Sequence, residues 1–320
     1  MLYSLMKIWS RGSLRLFCRT IVVNKPEWLR ERGPLLLACN HPNSFLDSVI
    51  LNTLFERPVW SLARGDVFRN RFYTRLLTAL RILPVYRTSE GTDKLAENYR
   101  TFEACIVRFR RDAIVTIYSE AKCVNEWHLR PLRKGTARLA LRAWADGIPL
   151  RVLPVGINYS SFRRFGKNVF LNFGTPITIA DIPLEEADGT RHQAFNDRLA
   201  SELRNLVYEI PLNDRSAQQR LLTTPVPPYV RALLLLPGFA GWLLHAPLYL
   251  PIKQLTRSRT LGTDHYDSVL VALLLVSYPF YCLLITLLVR EVTGSDWAWL
   301  LVVALPFLVW CRIWSKSQTN

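Results

Sequence analysis

Residues 37–48 read LACNHPNSFLDS and bring an asparagine, a histidine and an aspartate close together early in the chain. Asn40 and His41 follow an apolar run, 34–39, that reads as the end of a strand. Asp47 falls in the first turn of an amphipathic pattern beginning at Ser44, where the helix dipole favours a carboxylate. A carboxylate that accepts a hydrogen bond from one imidazole nitrogen sets the tautomer and leaves the other nitrogen free as a general base. This is the His-Asp half of a hydrolase triad. No Gly-x-Ser-x-Gly elbow accompanies it, so the sequence offers no obvious nucleophile of its own. Such a pair suits an enzyme that activates a substrate hydroxyl. The bland alternative is that Asn40 and His41 cap a turn.

Other polar residues stand in similar places. Arg87 follows the apolar run 82–86, and Glu120 follows 114–119. In open α/β sheets, ligands gather outside the carboxyl ends of the strands, where His41, Arg87 and Glu120 would then meet. Arg130, Arg133 and Lys134 precede Gly135-Thr136 at the start of a helical pattern, and cations beside a helix N-terminus make a natural phosphate site. Singly, each of these charges reads as a solvated side chain. Together they describe a base beside an anion site.

The elements that would position these residues follow from periodicity. Apolar runs at 35–39, 59–63, 82–86, 113–118, 151–157 and 169–173 read as strands. Amphipathic patterns at 44–55, 71–81, 93–110, 134–145 and 191–209 read as helices. Their alternation predicts an α/β domain over 23–210, a mostly parallel sheet flanked by helices. Before it, Lys7, Arg11, Arg15 and Arg19 recur every four residues, with Leu2, Leu5, Met6, Trp9 and Leu16 on the other side. That pattern predicts an amphipathic helix over 1–22 lying in a membrane interface, the alternative being a surface helix packed on the domain. Residues 211–230, with four prolines, read as a linker.

The segment 231–320 is far more apolar and reads as a transmembrane helical region. Residues 268–289 carry no charge and are long enough to span a bilayer. With about 295–314 they form a candidate hairpin. The stretch 232–252 is apolar too, but its prolines and glycines suggest a broken or re-entrant element. Lys253, Arg257 and Arg259 then share one side with Arg312 and Lys316, which places the domain on the cytoplasmic face by the positive-inside rule. A three-span bundle is the alternative. The formal net charge of +16 calls for an anionic partner. The long apolar segments point to membrane lipid, and no zinc-finger or RNA-binding signature points to nucleic acid. The six cysteines form no CxxC pair, which fits a reducing compartment and predicts no metal site.

Over roughly 25–210, the chain resembles the membrane glycerolipid acyltransferases, the lysophosphatidate and glycerol-3-phosphate acyltransferase superfamily. The family pattern of Asn-His, four residues, then Asp is met by Asn40-His41 and Asp47, with five residues between His41 and Asp47 and the insertion at Pro42-Asn43. A similar longer spacing occurs in a fungal-type glycerol-3-phosphate/dihydroxyacetone-phosphate branch. Pro84-Val85-Tyr86-Arg87 matches the second block, although Arg81 stands where glycine is usual. The third block keeps only Glu120, in Tyr118-Ser119-Glu120-Ala121-Lys122-Cys123, with Lys122 a possible substitute for the missing arginine; Arg133-Lys134-Gly135-Thr136-Ala137 continues it. Val152-Leu153-Pro154-Val155-Gly156-Ile157 matches the fourth.

The resemblance implies one-step acyl transfer without a cofactor. His41 would be the base and Asp47 its orienting partner; Asn40, Arg87, Glu120, Lys122, Arg133 and Lys134 would bind substrate and its phosphate. The acyl donor would be acyl-CoA or acyl-carrier protein. The acceptor would be 1-acyl-glycerol 3-phosphate, with glycerol 3-phosphate, dihydroxyacetone phosphate or another lyso-lipid as alternatives. A membrane-anchored lipid-binding protein without activity is the remaining reading. The oligomeric state is left open.

Overall fold

The computed structural model describes residues 2–68, 70–86, 93–183 and 187–318, with backbone alone over 93–98. Arg87 lies outside the described residues. Seven strands form one sheet: β1 (Cys18–Val23), β2 (Leu35–Cys39), β3 (Val59–Arg64), β4 (Ile82–Val85), β5 (Ile114–Tyr118), β6 (Arg151–Tyr159) and β7 (Lys167–Phe173). Their order across the sheet is β1-β7-β6-β2-β5-β3-β4. Strands β2 to β6 are mutually parallel, β7 runs antiparallel to β6, and β1 is parallel to β7. The beginnings of β1 and β7 therefore lie at the same edge as the carboxyl ends of β2, β5 and β6.

All five residues of β2, Leu-Leu-Leu-Ala-Cys, are fully buried, as expected of a parallel strand covered on both faces. On one face, Leu14 and Phe17 of α1 (Leu2–Phe17) join Leu46 and Ile50 of α2 (Phe45–Leu54) and Leu270 of α10 (Tyr266–Thr293). The other face is covered by α4 (Asp93–Phe109), α5 (Gly135–Ala145) and α6 (Asp188–Arg204), through Ile106, Phe109, Ala140, Phe195 and Leu199. The short α3 (Arg71–Ala79) leads into β4. The expected α/β architecture is thus the observed one.

Two N-terminal expectations change. The helix expected over 1–22 stops at Phe17, because Thr20, Ile21, Val22 and Val23 are β-branched and pair with β7 as strand β1. Two cations of the stripe bond the protein, while Arg15 is exposed. The ammonium of Lys7 donates to the carbonyls of Phe55, Glu56 and Arg57, and Arg11 Nε donates to Thr53 O at 2.9 Å, so both cations sit at the C-terminal end of α2, where its dipole favours them. Leu5 and Ile8 are left outward, 62% and 72% exposed. The outward Leu5 and Ile8 fit an apolar surrounding on that side.

The stretch 211–230 is not a bare linker. It holds α7 (Arg215–Leu222), whose Ala217 and Leu222 pack on Phe170 and Ile210, and the start of α8 (Pro228–Leu233). The segment expected to be broken is continuous helix α9 (Leu235–Arg259), running through Pro247 and Pro251. The Tyr281 hydroxyl of the neighbouring α10 donates to Leu244 O, one turn before Pro247. The glycines serve close packing; a Cβ on Gly241 would lie 2.3 Å from Leu308 O of α11 (Leu301–Ser315). Helix α9, helix α10 and the segment Asp296–Ser315 are each long and apolar enough to cross a membrane.

Candidate active site

Strand β2 delivers Asn40 and His41 to the carboxyl edge of the sheet, and the next three residues turn the chain back into α2. Pro42 and Asn43 lengthen this turn, and Ser44 closes it in a left-handed conformation, φ 52°. The longer spacing still delivers the carboxylate. His41 Nδ1 lies 2.9 Å from Asp47 Oδ2, and Asp47 is fully buried. The same oxygen accepts the backbone N–H of Asn43 at 2.9 Å, and Oδ1 accepts the Tyr159 hydroxyl at 2.6 Å. An acceptor surrounded by donors calls for the Nδ1–H tautomer of His41, leaving Nε2 with a lone pair. The imidazole is 17% exposed, so its free edge can be reached.

Two tyrosines frame the pair. Tyr118, the last residue of β5, stacks on the imidazole with centroids 3.8 Å apart and planes at 14°, its hydroxyl 2.7 Å from Ser48 Oγ. Tyr159, the last residue of β6, is fully buried. Burial first, then the nearby Asp47 carboxylate, pushes the Tyr159 hydroxyl well above its ordinary pKa, so it remains a donor to Asp47. Neither tyrosine was foreseen from the sequence. Their signal was weak: an aromatic residue at the end of an apolar strand is usually core.

Asn40 and Glu120 have their polar groups engaged inside the protein. Asn40 accepts from Ile157 N at 2.8 Å and donates to Ile157 O at 3.0 Å, fastening β2 to β6. Glu120 accepts the backbone N–H of His41 at 2.8 Å through Oε2 and that of Arg130 at 2.8 Å through Oε1. Burial raises the Glu120 pKa, opposed by those two N–H donors. The residue thus ties the histidine turn to the loop that leads into α5.

That loop carries the cations. Lys122 is exposed in the turn after β5, where Ala121 adopts φ 57°. Arg133 and Lys134 are exposed at the start of α5, and the Arg133 N–H donates to Ser119 O at 2.7 Å, which holds the helix N-terminus beside the end of β5. Strand β5 is the direct neighbour of β2, so these three cations stand one strand away from His41. Arg130 is paired with Glu126 at 3.1 Å.

The first turn of α10 also reaches the site, 224 residues away in sequence. Asn43 Nδ2 donates to Asp267 Oδ2 at 2.9 Å, and the same oxygen pairs with the ammonium of Lys167; Asn43, Asp267 and Lys167 are all fully buried. Ser268 Oγ donates to Asn43 O at 3.0 Å and accepts from Leu46 N at 3.1 Å. His265 Nδ1 lies 2.9 Å from Ser44 Oγ. A long apolar helix is thereby bolted to the turn that carries the His-Asp pair. Among the described residues no group of histidines, cysteines and carboxylates is arranged to hold a metal.

An acyltransferase family model matches residues 20–158, from within β1 nearly to the end of β6, and so spans the His-Asp turn and the cationic loop. No curated protein matches the chain. Among solved structures, the crystal structure of the 1-acyl-sn-glycerophosphate (LPA) acyltransferase PlsC from Thermotoga maritima is similar at 14% identity and a TM-score of 0.44, covering 66% of this chain and 81% of that one.

Proposed function

With an acyltransferase domain over residues 20–158 as the premise, we propose that the protein acylates a hydroxyl of a phosphorylated glycerol acceptor, 1-acyl-glycerol 3-phosphate, in phospholipid synthesis. The observation that carries this reading is the buried Asp47 on Nδ1 of a reachable His41. Nε2 takes the proton of the acceptor hydroxyl as its oxygen attacks the thioester carbonyl of acyl-CoA or acyl-carrier protein. The tetrahedral adduct expels the thiolate, which recovers that proton from the imidazolium. The nucleophile is the substrate's own hydroxyl: all six cysteines are buried, and the Ser48 hydroxyl is held by Tyr118. Lys122, Arg133 and Lys134 hold the phosphate one strand from the base. Binding there orients the hydroxyl. The outward Leu5 and Ile8 of α1 and the apolar C-terminal helices keep the domain at the membrane, on its cytoplasmic face, where acceptor and product reside.

The longer spacing before Asp47 and the altered third block favour keeping glycerol 3-phosphate as the second acceptor. The test is acyl transfer from labelled acyl-CoA, and from acyl-carrier protein, by membranes containing wild-type protein or His41→Ala, with lysophosphatidate and glycerol 3-phosphate offered in parallel. Transfer to lysophosphatidate, reduced roughly 10²–10⁴-fold in the variant, is expected. Equal turnover by the folded variant would overturn the base assignment; transfer to glycerol 3-phosphate alone would reassign the acceptor.

A further inference from the structure

A second cationic group lies at the other end of the same sheet edge, and the acyl-transfer reading does not use it. Arg19 on β1 donates to Lys316 O at 2.7 Å and to Ile313 O, just where α11 ends. It is buried, and among the described residues its Nε has no hydrogen-bond partner, nor has Arg312 Nε. Among the described residues, the charges that act on the Lys316 ammonium are those of Arg312, Arg164, Lys253 and Arg19, all cations. Burial, then these neighbours, brings that ammonium down to about 8. A protein rarely gathers like charges without an anion to answer them.

Beside this cluster opens an apolar cavity of about 120 Å³ between α1, α2, α9, α10 and α11, lined by Leu14, Val49, Trp242 and Leu275 among others, with Arg312 and Lys316 on its wall. An apolar cavity of roughly 150 Å³ accepts a benzene molecule, so this one has room for a short length of alkyl chain. An apolar slot with cations on its wall is shaped for an amphiphile that is negative at one end.

Position separates this site from the reacting substrate. The order β2-β6-β7-β1 places Arg19 three strands from His41, roughly 14 Å across the sheet at the usual strand spacing. The phosphate and hydroxyls of one glycerol are only a few bonds apart. A phosphate held at Arg19, Arg312 and Lys316 therefore cannot present its own glycerol hydroxyl to His41.

We propose that this cavity and cluster form a second lipid site, which holds one anionic phospholipid of the surrounding bilayer with its phosphate among Arg19, Arg312 and Lys316 and part of an acyl chain between α1 and the C-terminal helices. The site goes beyond the acyl-transfer reading and stands independently of it, since its test reads binding and not turnover.

The experiment is native mass spectrometry of the full chain in mild detergent, titrated with phosphatidylglycerol or phosphatidylcholine. Phosphatidylglycerol should be retained in preference, and Arg312→Gln with Lys316→Gln should weaken its retention roughly tenfold. Ala246→Trp, which fills the cavity and leaves every charge in place, should weaken it as well. Arg71→Gln with Arg75→Gln, on α3 beyond the opposite edge strand, should leave it unchanged. Equal retention of the two lipids by the wild type would overturn the proposal. So would wild-type retention by the Arg312/Lys316 variant, or an equal loss in the α3 variant, which would mean bulk charge alone. Displacement of the lipid by inorganic phosphate at matched concentration would reduce the site to a simple anion site.

Discussion

The turn at residues 40–47 and the loop at 119–134 flank the same edge of the sheet and are built in opposite ways. In the turn, Asn40, His41, Asn43 and Asp47 are each bonded to other parts of the protein before any substrate arrives. Along the loop, Lys122, Arg133 and Lys134 project into solvent. Under the proposed mechanism a base at His41 is pre-positioned, which removes reorganisation from the chemical step, whereas the cations are ordered only by a bound anion, so that their contribution falls on binding. Substitutions on the two sides should therefore separate in kinetics, the turn acting on kcat and the loop on KM.

The sharpest probe on the turn is Asp47→Asn. An amide there cannot accept from Asn43, His41 and Tyr159 together, and it favours the imidazole tautomer protonated on Nε2. Turnover should fall roughly 10²–10⁴-fold with KM nearly unchanged, measured as initial rates on membranes. Tyr159→Phe is gentler. It leaves Asp47 Oδ1 without its donor in a buried site, a loss of about 1–3 kcal/mol, to be read as a lower melting temperature with about a tenfold loss of kcat. If Tyr159→Phe raised KM alone, the contrast between the two sides would fail. On the loop, changing Lys122, Arg133 or Lys134 to Gln should raise KM for the phosphorylated acceptor by roughly threefold to tenfold each and leave kcat within about twofold. Raising the salt concentration should mimic this effect in the wild type and blunt it in the variants.

Residue type and spacing carried the strands β2 and β5, the helix that begins after Ser44 and the His-Asp contact, because each rests on local periodicity. The reversed pair β1 and β7 was only half legible. The run Cys18–Val23 continues a stripe of cations spaced like a helix, and only its pairing with β7 decides the conformation. Arg81 could be read as a departure from a glycine. The structure supplies the reason: φ is 62° there, a conformation glycine adopts freely, and the arginine gains stacking on Tyr3 and Trp60 with centroid distances of 4.9 and 5.5 Å. The positioning roles of Asn40 and Glu120 were out of reach, because their partners are main-chain atoms that any residue could supply. The same limit hid Asp267, whose aspartate reads in sequence only as the polar start of an apolar helix.

That aspartate has a consequence for how the chain can be divided. The sequence suggests an α/β half that could be cut free near residue 230, but the cut would strip Lys167 and Asn43 of Asp267 and remove the core cover that Leu270 supplies. Breaking such a pair costs about 3–5 kcal/mol, a large share of the net stability of an ordinary domain. The visible seam between polar and apolar sequence is therefore not a seam in cooperativity. A shortened, detergent-free version of the protein should be sought by redesigning Lys167 and Asn43 together, before any residue of the apolar helices is removed.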